Sequence, residues 1–307
     1  MSIPVQQRRI RRSMLLTPGY RRERIEKAMS LGVDAFVFDL EDGVPPSRRA
    51  EARSTLAELI PTLDFQGRER VVRINAIGTP DCELDVAALP LQHLDALLVP
   101  KVESASQLHL LDGWLKAREA EQGGNKPALQ LIVTLETPRG VFNALAIGDA
   151  TSRTCAFFFG SGDYTMQTGG AITPTSLHWA RSTIVAAAGA VGIDAIDAPY
   201  LTDLRDPEGT WEDARQAREL GFAGKVVFHP MQIEPVHRAF TPSDAEVQRA
   251  RGIVEAFAQT SAHGDAVAIV AGEFVAIDLV PRMERLLQIA AYAQAHHPSA
   301  AQIGSRT

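Results

Sequence analysis

The chain has 307 residues, of which 45% are hydrophobic and 22% charged, a composition typical of folded globular proteins rather than disordered or collagen-like chains. Its 37 acidic residues outnumber its 31 basic ones, and the formal net charge of −6 argues against nucleic acid or an anionic membrane as the main partner. No apolar run reaches the roughly 18–20 residues of a membrane span, and Cys82 and Cys155 form no CxxC pair, so a cytoplasmic location without disulfides is expected.

After a basic run at residues 8–12, which predicts a largely solvated tail, short apolar runs alternate with longer amphipathic segments. The runs are rich in β-branched and aromatic residues, which is typical of buried parallel strands. The predicted strands are Ser13–Thr17, Ala35–Leu40, Arg70–Asn75, Ala96–Pro100, Leu129–Leu135, Ala156–Gly160, Ala195–Ala198 and Lys225–His229.

Helical periodicity occupies the segments between these strands, and Gly192 and Gly221 lie where helices should end. The alternation predicts a (β/α)8 TIM barrel. A doubly wound sheet is the alternative, but no GxGxxG or GxxxxGK[ST] motif follows an early strand. The predicted helices are Arg21–Leu31, Pro46–Leu59, Ser104–Ala120, Gly140–Ile147, Ser176–Ala190 and Thr210–Leu220.

We assign residues 1–240 to the barrel and residues 241–307 to a C-terminal helical and hairpin appendage. The appendage contains a predicted helix over Ala245–Gln259, an apolar segment over Ala266–Ile277 and a final helix near Pro281–Ala295. It is too small to be a confident independent domain, so we expect it to pack on the barrel or on a neighbouring subunit.

Nearly every predicted strand ends in polar residues that an apolar strand does not need. In a barrel these carboxyl-terminal strand ends open onto one face, where active sites are assembled. The polar residues at these positions are Asp39, Glu41, Asp42, Arg73, Asn75, Lys101, Glu103, Glu136, Asp163, Asp197 and His229.

Glu136 and Asp163 are 27 positions apart, which is one βα unit, so neighbouring strands should bring them together. Two adjacent carboxylates repel unless a proton or cation intervenes, and Mg²⁺ prefers such a pair. The alternative is one helix cap and one surface acid. Arg73 suits bidentate binding of a substrate carboxylate, the alternative being a structural pair with Glu41 or Asp42.

These residues stand in short motifs that occur in a fixed order along the chain. With them, the chain resembles the citrate lyase β-subunit-like family, which is similar to malyl-CoA and citramalyl-CoA lyases and to HpcH/HpaI aldolases. The motifs are RSML at 12–15, FDLEDGV at 38–44, RIN at 73–75, PKVE at 100–103, ET at 136–137, GSGD at 160–163, GFAGK at 221–225 and HPMQ at 229–232.

The resemblance implies a trimeric or hexameric barrel with Mg²⁺ held by Glu136 and Asp163, and with Arg73 on the carboxylate of a 2-oxo acid. It also implies that Asp39, Glu41 and Asp42 support metal-bound waters. On the coenzyme A side, Arg12 and Lys27 match positions near the phosphates, and Lys101 is grouped with them as a cofactor-binding residue.

The implied activity is Mg²⁺-dependent carbon–carbon cleavage of a 3-hydroxyacyl thioester, citramalyl-CoA- or malyl-CoA-like, to a 2-oxo acid and an acyl-CoA. The alternatives are a citrate lyase β subunit acting on citryl-acyl carrier protein and a non-catalytic homologue that binds acyl-CoA or a 2-oxo acid. In the family an aspartate from a neighbouring subunit transfers the final proton. Asp278 is the matching residue here, although its longer spacing from Gly272 leaves Glu273 as a substitute.

Overall fold

A computed structural model describes residues 8–121, 128–260, 267–270 and 273–296. Eight parallel strands close into a barrel in sequence order, which confirms the predicted (β/α)8 fold. The strands are β1 (Ser13–Pro18), β2 (Ala35–Asp39), β3 (Glu69–Arg73), β4 (Ala96–Val99), β5 (Gln130–Leu135), β6 (Thr154–Phe159), β7 (Asp194–Asp197) and β8 (Gly224–Val227).

Helices cover the outside of the barrel. The predicted single helix at Gly140–Ile147 is instead two short helices, because Asn143 leaves helical geometry and donates through its side chain to the Glu103 carbonyl. Gly192 and Gly221 end helices at φ 78° and 109°, as predicted. The helices are α1 (Arg22–Ala28), α2 (Arg49–Leu59), α3 (Pro80–Ala88), α4 (Ala105–Glu121), α5 (Pro138–Phe142), α6 (Ala144–Gly148), α7 (Ser161–Thr168), α8 (Pro174–Val191), α9 (Pro207–Leu220) and α10 (Ile233–Phe240).

Side chains fill the barrel interior, so a ligand can reach it only from the ends. Alternate residues of each strand point inward, among them Met14, Val37, Leu98, Ile132 and Phe158. The outward residues form a larger apolar layer under the helices. The polar residues at the strand ends therefore stand on a rigid, close-packed support.

The chain after residue 240 forms α11 (Asp244–Thr260), an antiparallel hairpin of β9 (Val267–Val270) and β10 (Glu273–Ala276), and α12 (Val280–His296). A small apolar cluster that includes Ile253, Phe257 and Met283 joins these elements. Arg285 of α12 donates to the carbonyls of Arg8 (2.6 Å) and Arg9 (2.7 Å) before β1. The appendage thus contacts the amino-terminal end of the barrel, while the boundary at residue 240 stays a prediction.

The basic run at residues 8–12 is not a solvated tail, which corrects the sequence-based expectation. It crosses the amino-terminal end of the barrel, where acids at the starts of four strands face it, and Arg11 and Arg12 are each only 2% exposed. A buried guanidinium needs a carboxylate partner, and each arginine has one. The pairs are Arg8–Asp194 (3.1 Å), Arg9–Asp95 (2.8 Å), Arg11–Glu69 (2.6 Å) and Arg12–Asp34 (2.8 Å).

Cys82 and Cys155 are both free and buried, in agreement with the expectation of no disulfide. Within the described part of the chain, every helix is too short or too polar to cross a membrane.

We expect Arg11→Met to lower the free energy of unfolding by about 3–5 kcal/mol, because it leaves Glu69 buried without its bidentate partner. Arg11→Met combined with Glu69→Met should recover most of that loss. The matched control is Arg215→Met, which breaks two ion pairs on α9, with Glu212 and Glu219. The Arg215 side chain is 40% exposed, so this variant should cost less than about 1 kcal/mol. Urea denaturation measures all three, and equal losses in Arg11→Met and Arg215→Met would contradict the structural role of the buried pair.

Candidate active site

The polar residues that follow the strands lie together at the carboxyl-terminal end of the barrel. Asp39 and Arg73 are the last residues of β2 and β3, and Lys101 follows β4 by two positions. Glu136 comes directly after β5, and Asp163 lies in the first turn of α7, just beyond β6. Five consecutive strands thus bring these side chains to one side of a single opening.

Asp39 and Arg73 are direct partners in the register of β2 and β3. The Arg73 Nε and Nη2 atoms donate to the two Asp39 oxygens at 2.7 Å each. The same oxygens accept from the backbone N–H groups of Glu41 (2.9 Å) and Gly43 (2.8 Å). Asp39 is fully buried, and its role is to hold Arg73 and the turn after β2. The prediction that Asp39 supports metal-bound water is not met, because both oxygens are already used.

The same pair limits how Arg73 could bind a substrate carboxylate, and that role of Arg73 stays a prediction. The Nε–Nη2 edge of the guanidinium, which suits bidentate recognition, is occupied by Asp39 rather than left for a substrate. Nη1 lies 3.2 Å from Glu41, so the structural alternative of a pair with Glu41 is realised in part. Two of the five N–H donors are used in the hydrogen bonds to Asp39, which leaves the Nη1–Nη2 edge as the part of Arg73 that can meet a ligand.

Glu41 is buried between two cations, since Lys101 Nζ lies 2.6 Å from it on the side away from Arg73. Lys101 Nζ also lies 3.1 Å from Asp42, whose side chain is 52% exposed. Burial raises the pKa of Glu41, and the charge of Asp42 adds to this, while Arg73 and Lys101 act in the opposite direction. Glu41 is therefore a buried carboxylate paired with two cations, and Asp42 is a half-exposed carboxylate at the edge of the site.

Glu136 occupies the most confined position. It is 3% exposed, and its Oε1 accepts from the backbone N–H of Lys101 at 2.7 Å. Gly160 packs directly on it, because a Cβ at Gly160 would lie 2.6 Å from Glu136 Oε2. Burial, together with the nearby charges of Glu41 and Asp163, raises the pKa of Glu136 to about 8. No lysine, arginine or histidine of the described residues forms an ion pair with this carboxyl.

Asp163 lies within hydrogen-bonding reach of Glu136, and its side chain is partly exposed at the opening. The pair of adjacent carboxylates predicted from the sequence is therefore present. Among the described residues no group of three or more His, Cys, Asp or Glu is arranged to hold a metal ion. Two carboxylates short of positive charge suit Mg²⁺, which takes one or two protein carboxylates and completes its shell with water or substrate oxygens.

Three predicted site residues lie elsewhere. Arg12 precedes β1 and is buried against Asp34 at the amino-terminal end, which contradicts a contact with coenzyme A phosphates. Lys27 is exposed in the last turn of α1 and has no ion-pair partner among the described residues, so its role stays a prediction. Asp278 is exposed after β10 and borders a cavity of about 660 Å³ beside Gly221 and Asp194, at the amino-terminal end of its own barrel.

The side chain of Glu273 lies outside the described residues, so the choice between Glu273 and Asp278 stays open. The hydrogen bond from the Lys101 backbone N–H to Glu136 could not be predicted from the sequence. It depends on a positive φ of 55° at Lys101, a backbone conformation that is rare for residues with a Cβ.

Comparison with known proteins identifies one family of similar sequences and structures. The profile of the family described as HpcH/HpaI aldolase/citrate lyase matches residues 12–230. A "Citrate lyase subunit beta" of Leuconostoc mesenteroides subsp. cremoris is 32% identical over 284 residues, covering 92% of this chain and 94% of that protein. A "(3S)-malyl-CoA thioesterase" of Cereibacter sphaeroides is 33% identical over 266 residues, covering 86% and 89%. A crystal structure of CitE from Mycobacterium tuberculosis with magnesium, acetoacetate and coenzyme A matches with a TM-score of 0.70 and 31% identity, covering 92% and 98%.

We expect the metal-free protein to lose stability as the pH rises from about 5 to 8. The pKa of Glu136 is 4.5 in an ordinary setting and about 8 in the fold, so the folded state keeps a proton that the unfolded chain has released. The stabilising proton is fully present below pH 4.5 and is lost as the pH passes 8. The loss should be on the order of several kcal/mol, since the pKa of Glu136 rises from 4.5 to about 8 and one pKa unit corresponds to about 1.4 kcal/mol.

Urea denaturation in EDTA at three pH values measures this dependence. Glu136→Gln should flatten it, whereas Glu83→Gln, an exposed control on α3, should leave it as in the wild type. An unchanged pH dependence in Glu136→Gln would contradict the raised pKa.

Proposed function

The chain belongs to the HpcH/HpaI aldolase/citrate lyase family, and on that premise we propose that it is a Mg²⁺-dependent carbon–carbon lyase acting on a 3-hydroxyacyl thioester. The observation that carries the proposal is the pair Glu136 and Asp163, which remains short of positive charge beside carboxylates that Arg73 and Lys101 already compensate. The substrate is citramalyl-CoA- or malyl-CoA-like, and the products are a 2-oxo acid and an acyl-CoA.

The two carboxylates would hold Mg²⁺. Bound there, the ion supplies Lewis-acid polarisation of the oxygen that becomes the 2-oxo carbonyl. Glu136 is fixed for this task by the Lys101 amide and by the absence of a side chain at Gly160. Asp163 stands at the open side, where a substrate can approach it.

Arg73 binds the carboxylate of the 2-oxo acid fragment through its Nη1–Nη2 edge. Asp39 fixes the other edge, so the guanidinium plane is set before the substrate arrives. Such preorganisation lets the charge act on the transition state without rearrangement. The bond between C2 and C3 breaks, and the C3 hydroxyl releases its proton to solvent as it becomes the carbonyl. The electron pair of the broken bond passes to C2 as a thioester enolate, which takes up one proton, so the cleavage neither consumes nor releases a proton overall.

Cationic side chains on the substrate-facing end support a phosphate-bearing thioester. Arg21 and Arg48 flank the Tyr20 ring beside β1 and β2, with 41% and 44% of their side chains exposed. Lys27, exposed in the last turn of α1, and Lys101, which follows β4, are further candidates. These groups replace Arg12 as the proposed partners of the phosphates.

The final proton comes from Asp278 of a neighbouring copy in a trimer or hexamer. Asp278 lies at the amino-terminal end of its own barrel, so it cannot reach the site of the same chain. An apolar surface beside the site supports contact with a second copy, because Phe142 and Met166 are each 75% exposed and Trp179, packed on Phe142, is 48% exposed.

Isothermal titration of the protein with pyruvate, glyoxylate and oxaloacetate, with and without Mg²⁺, tests the proposal, followed by cleavage of malyl-CoA and citramalyl-CoA. We expect Mg²⁺-dependent binding of a 2-oxo acid and release of acyl-CoA. Glu136→Gln and Asp163→Asn should each lower kcat/KM by at least about 100-fold, while Glu83→Gln stays at the wild-type value. Arg73→Lys should also fail, because an ammonium cannot bind both Asp39 and the substrate.

Each alternative has its own outcome in this assay. Release of free CoA without a 2-oxo acid means thioester hydrolysis. Citryl-acyl carrier protein is added as a third substrate, and turnover of it alone means a citrate lyase β subunit. Binding without any turnover means a non-catalytic homologue, and no binding in Mg²⁺ would exclude the site at Glu136, Asp163 and Arg73.

Complementation between inactive variants tests the contribution of the neighbouring copy. Asp278→Asn and Glu136→Gln should each be inactive alone, since one lacks the proton donor and the other a metal ligand. After the two proteins are mixed, unfolded and refolded together, some sites combine Asp278 of one chain with Glu136 of another, and we expect activity to return. No recovered activity in assemblies shown by mass spectrometry to be mixed would contradict this arrangement.

A further inference from the structure

Lys101 has an unusual backbone conformation at the carboxyl end of β4. Its φ is 55°, and among the described residues other than glycine only Gln66, at φ 52°, shares this left-handed conformation. Residues with a Cβ adopt it at a cost, so it persists where the surroundings fix it.

The conformation lets one residue serve two carboxylates in different directions. The Lys101 backbone N–H donates to Glu136 Oε1 at 2.7 Å, while its Nζ reaches Glu41 at 2.6 Å. The amide contact is the one that touches the proposed metal ligand, and it depends on the orientation of the peptide rather than on the lysine side chain.

The chain that follows Lys101 cannot move to relieve the strain. Val102 is fully buried, and its carbonyl packs so closely on Gly140 that a Cβ there would lie 2.5 Å from the oxygen. Because this side is fixed, a residue that does not tolerate positive φ must instead turn the peptide before it, and the amide then leaves Glu136.

We propose that Lys101 is a positioning residue whose left-handed backbone aims its amide at Glu136 and thereby sets the affinity of the site for Mg²⁺. This inference rests on the proposed function, since it takes Glu136 as a metal ligand. The ammonium has a separate task, which is to compensate Glu41 and Asp42.

Substitutions at Lys101 separate the backbone from the side chain. Lys101→Gly and Lys101→Asn lose the ammonium but tolerate positive φ, whereas Lys101→Val loses the ammonium and disfavours it. The dissociation constant for Mg²⁺, measured by isothermal titration of the metal-free protein, is the readout, and it needs no turnover. Thermal unfolding of each variant is recorded alongside.

We expect the glycine and asparagine variants to bind Mg²⁺ at least as tightly as the wild type, because a nearby ammonium repels the ion. Lys101→Val should bind about 10- to 100-fold more weakly than Lys101→Gly, the range found when a group that orients a metal ligand is removed. Lys101→Ala should fall between the two and serves if the valine variant does not fold. Gln66→Val, with the same strain at the other end of the barrel, should lower the melting temperature without changing the Mg²⁺ affinity.

If the glycine, alanine and valine variants all bind Mg²⁺ with the wild-type affinity, the inference is wrong while the metal site remains supported. Equal weakening in all three would overturn it as well, since the ammonium would then be the group that matters. No Mg²⁺ binding by the wild type would remove the metal site and this inference together.

Discussion

The repulsion among carboxylates at the carboxyl-terminal end of the barrel is the constraint on which the site depends. Like charges in a confined, poorly hydrated space are stable only if cations or protons compensate them. Among the described residues, Arg73 and Lys101 are the cations that form ion pairs with these carboxylates. They form ion pairs with the carboxylates on the β2 side, whereas Glu136, after β5, is buried beside further carboxylates and has a raised pKa. The five carboxylates are Asp39, Glu41, Asp42, Glu136 and Asp163.

The two ends of the barrel use charge in opposite ways. At the amino-terminal end each acid that faces the arginine segment of residues 8–12 has a guanidinium partner, and the charges there are compensated. At the carboxyl-terminal end the compensation is incomplete, and the deficit falls on Glu136. In (β/α)8 barrels generally, the amino-terminal end contributes to stability and the carboxyl-terminal end carries the active site. The distribution of ion pairs in this chain agrees with that rule.

The strands and the end of the barrel that carries the site could be predicted from the sequence, because β-branched runs and polar strand ends are local signals. The adjacency of Glu136 and Asp163 followed from one βα unit of spacing. The pairing of Arg73 with Asp39 could not be predicted, since it depends on the register of β2 against β3. The residues 8–12 were interpreted as a tail because their partners lie 22 to 186 positions away in the sequence.

Two features of the backbone also could not be predicted from the sequence. Nothing in the sequence around Lys101 indicates a left-handed residue, because such residues are most often glycine or asparagine. The split of the predicted helix at Asn143 has a similar origin, since a side chain of one element binds the backbone of another. Contacts between distant elements, rather than local propensity, decided each of these features.

The central claim is that the uncompensated carboxylates form a divalent-cation site. Crystals of the protein soaked with Mn²⁺ and pyruvate, measured at a wavelength where manganese scatters anomalously, test it directly. The account predicts one anomalous peak that contacts the carboxylates of both Glu136 and Asp163. A manganese peak elsewhere, or none between these two side chains while pyruvate is bound, would contradict it.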